Sequence, residues 1–214
     1  MAILSNDDKQ EVENLLTEME ADVTVSLFTS DDCQFCDETV ELNEELAALN
    51  DHVDLEVHDL ESDAAEEFDA AKYGVGPVTV LSSEGVSGVK YFGIPSGMEF
   101  SSYLQDLIAV STGRTELDEG VLDELADIDE DVEIKVFVTP TCPHCPGAVQ
   151  TAHSFAMENE NVQAEMIEAQ QFMDVAQEYG VRGVPQINVN GTDGQFTGNL
   201  PPHQFVDEVK KALQ

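Results

Sequence analysis

The chain has 214 residues, 8 of them basic and 45 acidic, for a formal net charge of −37, and 42% of its residues are hydrophobic. That apolar fraction supports packed cores rather than a disordered acidic chain, and at roughly 100 residues per domain it divides into two compact domains. A surface this acidic repels nucleic acid and anionic membrane, which are gripped through Lys and Arg, so neither is an expected partner.

Residues 7–20 alternate acids with Val12, Leu15, Leu16 and Met19, the pattern of an amphipathic helix. Val23, Val25 and Leu27 then alternate with polar residues as a strand, and Cys33-Gln34-Phe35-Cys36 follows it. Val40, Leu42, Leu46 and Leu49 give a helix, and Val53, Leu55 and Val57 a strand with one wet face. Ser62 caps a predicted helix running to Tyr73, with Gly74 as its stop. Val78–Leu81 and Gly88–Phe92 read as strands around a Ser-Ser-Glu-Gly turn, and Phe100, Leu104, Leu107 and Ile108 line a closing helix.

The acid-rich stretch 111–130 reads as a linker into the first helix of a second unit, which places the boundary near 115 and the domains at 1–115 and 116–214. The order then repeats. Ile134, Val136 and Val138 form a strand before Cys142-Pro143-His144-Cys145. Val149, Ala152, Phe155 and Ala156 line a helix, Val162–Ile167 is a strand, and Phe172 to Tyr179 is a helix stopped by Gly180. Gln186–Val189 and Gln195–Thr197 flank an Asn190-Gly191 turn, and Phe205, Val206, Val209 and Leu213 close with a helix. Each half is therefore α/β: a four-stranded mixed sheet flanked by helices. Helical crossovers between the first three strands predict parallel pairing there, and the short last connection predicts a hairpin.

The two Cys-x-x-Cys pairs contain the chain's only four cysteines. Each opens a predicted helix, and each is followed at nearly the same distance by a lone X-Pro step, Gly76-Pro77 or Val184-Pro185. Residues i and i+3 share a helix face. A helix N-terminus offers the first cysteine unpaired N–H groups and a positive dipole, which favour its thiolate. Such a thiolate attacks a disulfide, and the second cysteine resolves the mixed disulfide. This assigns attack to Cys33 and Cys142, and resolution to Cys36 and Cys145, with no prosthetic cofactor. Pro143 presets a helical φ, and His144, when protonated, would stabilise the Cys142 thiolate. Asp31, Asp32, Asp37 and Glu38 oppose a thiolate at Cys33. Cys142 is thus the expected more acidic, more oxidising thiol.

Other readings stay open. Two Cys pairs can hold a zinc ion, although more than a hundred residues separate these and each opens its own helix. A carrier, passing electrons in at one pair and out at the other, is a second. A redox-sensing or chaperone-like protein that grips peptide without turnover is a third.

The tandem motifs CQFC and CPHC, with Val138-Thr139-Pro140-Thr141 before the second and Tyr91-Phe92-Gly93-Ile94-Pro95-Ser96-Gly97 in the first half, resemble the archaeal protein disulfide oxidoreductases. That glutaredoxin-like family has two thioredoxin folds. The resemblance implies that Pro77 and Pro185 are cis and face the cysteines, and that Gly76 and Val184 offer backbone pairing to a bound peptide. It also implies disulfide-containing protein substrates and a thioredoxin reductase as electron donor. CPHC departs from the more usual CPYC of the glutaredoxin-like type and pushes the expected potential upward. Thioredoxins carry a buried acid six residues before the first cysteine, where this chain has Leu27 and Val136, so the proton acceptor for the resolving cysteine has no sequence candidate.

The N-terminal residues show no basic-then-apolar leader pattern and no run approaches 18 apolar residues, so a cytoplasmic protein is expected. There, paired cysteines are redox-active or metal-binding more often than structural. The acids suit either attraction to a basic partner or a salt-rich setting; their spread through both halves favours an extreme halophile, because at molar salt the Debye length falls to roughly 3 Å and self-repulsion costs little.

Overall fold

In the computed structural model, which describes residues 3–214, the two halves of the chain share one eight-stranded sheet. The helices are α1 (Asn6–Leu16), α2 (Cys36–Leu49), α3 (Asp63–Glu67), α4 (Glu99–Thr112), α5 (Glu119–Ala126), α6 (Cys145–Glu158), α7 (Met173–Glu178) and α8 (Pro202–Ala212). The strands are β1 (Val23–Thr29), β2 (Val53–Asp59), β3 (Val78–Ser83), β4 (Val86–Phe92), β5 (Val132–Val138), β6 (Val162–Glu168), β7 (Gln186–Val189) and β8 (Gly194–Thr197). Their spatial order is β2-β1-β3-β4-β6-β5-β7-β8. Each half contributes the expected four strands, but the two sheets are not separate. β4 of the first half pairs in parallel with β6 of the second, from Val89↔Ala164 to Phe92↔Ile167.

The expected parallel pairing of the first three strands holds for only one step. β1 and β2 are parallel, whereas β3 runs antiparallel to β1. The lengths of the connections explain the difference. Helix α2 has 14 residues, about 21 Å at 1.5 Å per residue, which returns the chain along a seven-residue strand of about 23 Å. The next connection cannot do this, because the helix expected from Ser62 to Tyr73 is broken. Ser62 caps only the five residues of α3, Asp69 adopts a left-handed φ of 53°, and a short 3₁₀ turn, Ala70–Tyr73, ends at Gly74. The chain stays at the end of the sheet where β2 finished, so β3 starts beside the end of β1, with Val78 opposite Phe28. The second half repeats the arrangement, with β5 parallel to β6 and antiparallel to β7.

Alternation along the strands separates two cores. On one face Val25, Tyr91, Val136 and Met166 pack with Leu46, Tyr103, Leu107, Phe155 and Phe205 from the long helices. On the other, Phe28, Val80, Phe92, Phe137 and Ile167 pack with Ala65, Phe172 and Val175 from the short ones. The seam between halves is polar on this second face. Lys90, Glu165 and Lys135 stand opposite one another on β4, β6 and β5, all buried. Lys72 from the 3₁₀ turn reaches across to ion-pair with Glu165 and with Glu133, the latter at 2.6 Å. Lys135 bonds Glu133 and lies 3.5 Å from Glu165, and Lys90 donates to Gln163. Burial pushes the Glu133 carboxyl up, but hydrogen bonds from Lys135 and Lys72 outweigh it and hold the carboxyl at about 2.

Candidate active site

Strand order fixes where the two Cys pairs lie. β1 and β5 point the same way through the parallel β4–β6 seam, so both pairs emerge at one edge of the sheet. Cys33 follows Leu27 by six residues and Cys142 follows Val136 by six, and both reference residues lie in one row across the sheet.

In the first half Cys33 and Cys36 form a disulfide of 2.04 Å, with Cα atoms 5.5 Å apart. Cys36 is the first residue of α2, whose N-terminus has no side-chain cap. The Gly76–Pro77 peptide is cis. A Cβ on Gly76 would stand 3.0 Å from the Phe28 carbonyl oxygen and 3.2 Å from Cys36 Sγ. Glycine there lets the backbone approach the sulfur closely. Asp31, Asp32, Asp37 and Glu38 are all exposed around the pair.

In the second half the Cys142–Cys145 disulfide is 2.16 Å long, again with Cα atoms 5.5 Å apart. Cys145 begins α6, Pro146 stands in its first turn, and that turn carries no acid. Pro143 and His144 are exposed. The Val184–Pro185 peptide is cis, and His144, Val184 and Pro185 line one groove of about 940 Å³. Cys142 is only 7% exposed, less than the half-buried Cys33, so the first cysteine of the pair is the more accessible in the first half. The first half supplies part of the packing around the second site: the Met98 N–H donates to the Pro140 carbonyl at 2.9 Å, two residues before Cys142. Gly97, with φ 61°, sits where a Cβ would come within 2.3 Å of that carbonyl oxygen.

A buried acid that the sequence reading did not single out is Glu99. It opens α4, is 1% exposed, and has one oxygen without a partner, the other accepting from the Ser102 hydroxyl at 3.0 Å. Helices α4 and α6 run side by side in the same direction. They are pinned at their starts by Met98 on Pro140, and two turns further on by Asp106, which accepts from His153 at 2.6 Å and from Tyr91. Two turns back from Asp106 and His153 lie Glu99 and Pro146, the neighbour of Cys145. Burial, helped by the Asp106 charge and opposed by the Ser102 hydrogen bond, raises the Glu99 carboxyl to about 7. Nothing local to Glu99 in the sequence signals this. An acid in the first turn of a helix is usually a solvated residue favoured by the dipole, whereas this one is buried.

A disulfide across Cys-x-x-Cys at a helix N-terminus, set beside a cis-proline and repeated at one sheet edge, defines the class: a thiol–disulfide oxidoreductase on the thioredoxin fold. The thioredoxin domain family matches residues 132–211. A thioredoxin from Methanocaldococcus jannaschii is 37% identical over 83 residues, covering 38% of this chain and 96% of that protein. The structure of a protein disulfide oxidoreductase from Aeropyrum pernix superimposes with a TM-score of 0.85 at 30% identity, covering 97% of this chain and 93% of that one. This chain belongs to the protein disulfide oxidoreductases with tandem thioredoxin-like folds. It is also similar to the F component of alkyl hydroperoxide reductase from Staphylococcus epidermidis, at 27% identity over 198 residues. That match takes in 92% of this chain and 35% of the relative, so the chain spans about a third of the length of such proteins.

Proposed function

We propose that this protein exchanges disulfides with protein substrates at two Cys-x-x-Cys sites, one in each of the domains 1–115 and 116–214. The observation that carries the reading is the repeated juxtaposition of a helix-opening Cys pair with a cis-proline. In reduction, the thiolate of Cys33 or Cys142 attacks one sulfur of a substrate disulfide. An S–S bond forms to the enzyme, and the substrate's other sulfur leaves as thiolate. Cys36 or Cys145 loses its proton and attacks the enzyme sulfur of the mixed disulfide, which releases the second substrate thiolate. Two electrons pass to the substrate, its thiolates take up protons, and the enzyme pair is left oxidised. Oxidation is the reverse.

The backbone of Gly76 or Val184 pairs with the substrate chain beside Pro77 or Pro185. At the second site, Glu99 serves as the proton acceptor for Cys145; its burial, its raised carboxyl and its place level with Pro146 across the α4–α6 pair support this. Pro143 orders the first turn, and His144 favours the Cys142 thiolate. A reductase of the thioredoxin reductase type would recharge both pairs in the cytoplasm. Trapping tests the exchange chemistry: Cys36→Ser and Cys145→Ser chains should each accumulate a covalent adduct with a disulfide-bonded protein, reversed by dithiothreitol. Failure of both to form one contradicts the reading.

A further inference from the structure

Arg182 stands apart from the other described Lys and Arg side chains in this chain. It is exposed, lines the groove that holds His144 and cis-Pro185, and no Asp or Glu lines that groove with it. Each of the other seven Lys and Arg side chains is bonded to an acid or, for Lys90, to Gln163. In a protein with 45 acidic residues, an arginine left unpaired at the lip of a redox groove is a pronounced local reversal of charge. The first half has nothing comparable among its described residues. The residue three before its cis-proline is Gly74 rather than Arg, and exposed Asp31, Asp32, Asp37 and Glu38 flank its cysteines.

Guanidinium binds carboxylate through two parallel N–H···O bonds, a fork that a neutral or basic side chain does not satisfy. We infer that Arg182 is a specificity-determining residue that directs the second site to disulfides whose cysteine is flanked by Asp or Glu on the substrate chain. A substrate strand laid beside Val184 would carry such a side chain past Arg182. The long-range field of the protein opposes any acidic substrate, so the preference comes from this contact and not from overall charge. This inference rests on the exchange reading of the second site.

The test uses the full chain with Cys33→Ser and Cys36→Ser, in 1 M KCl to suppress the long-range field. The substrates are peptides of one length, disulfide-linked to a common fluorogenic thiol, with Asp, Asn or Lys beside the cysteine. The Asp peptide should exceed the Asn peptide roughly two- to fivefold in kcat/KM, through KM, as an exposed ion pair allows, and the Lys peptide should not exceed the Asn peptide. Arg182→Gln should abolish the preference by lowering kcat/KM on the Asp peptide more than on the Asn peptide, and Arg182→Lys should restore part of it. Equal rates for all three peptides, a preference that survives Arg182→Gln, or an equal loss on the Asp and Asn peptides would overturn the assignment. Turnover of no peptide at all would instead overturn the exchange reading beneath it.

Discussion

At the scale of single residues, the two Cys pairs share geometry and differ in charge. The first turn of α2 carries Asp37 and Glu38, and the first turn of α6 carries none. Both helix ends favour a thiolate, but at Cys33 nearby carboxylates oppose it. In pH-dependent alkylation of the reduced protein at fixed salt, Cys142 should therefore titrate below Cys33; the reverse order contradicts this account of the difference. Glu99 gives a second prediction. Its carboxyl sits at about 7 against the usual 4.5, so the folded state holds a proton that the unfolded chain has lost. Stability thus falls as pH rises from about 4.5 to about 7 and stays lowered above that, by about 3 kcal/mol in total. Denaturation of Glu99→Gln should show that slope removed, with the variant matching wild type near pH 4 and exceeding it near pH 8. Release of the mixed disulfide at the second site should slow about tenfold or more, as for loss of a general base. An unchanged slope and an unchanged rate would remove Glu99 from the mechanism. The cysteines and both prolines were legible in the sequence because their spacing repeats. Glu99 was not, because its burial depends on tertiary packing that no local pattern records.

At the scale of elements, the helices opened by cysteine and the seven-residue strands were readable from periodicity. The direction of β3 was not, since it depends on the break at Asp69, where a non-glycine residue takes a left-handed φ. The fusion of the sheets was equally hidden. Val89, Tyr91, Ala164 and Met166 read as ordinary strand residues facing a core, and nothing in their alternation names a partner strand. The charged row beside them is the trace that β4 and β6 leave. Lys90 opposes Glu165, and Glu165 opposes Lys135, so the seam aligns opposite charges across three strands. Glu165 is fully buried, and its loss leaves Lys72 and Lys135 partly unpaired in a low-dielectric setting. Glu165→Gln should cost on the order of 3 kcal/mol in denaturant unfolding. A loss below about 0.5 kcal/mol would mean that the seam is held by its backbone ladder and apolar face alone.

At the scale of the whole molecule, one sheet edge presents two redox sites separated by β3, β4 and β6. Four strand spacings put them about 19 Å apart along the sheet, far beyond the reach of direct thiol–disulfide exchange. Within one molecule the sites should therefore act separately, with any electron flow between them carried by a substrate or partner. Exposed acids flank the first pair, while the buried ions sit at the seam, where salt screens them little. Among the described residues no helix is long and apolar enough to cross a membrane. The most direct test of the account is dithiothreitol-driven reduction of insulin disulfides by wild type, Cys33→Ser/Cys36→Ser, Cys142→Ser/Cys145→Ser and the chain lacking all four thiols. The account predicts turnover in the first three and none in the last. An inactive wild type, full activity without any thiol, or loss of all turnover when either single pair is removed would contradict it.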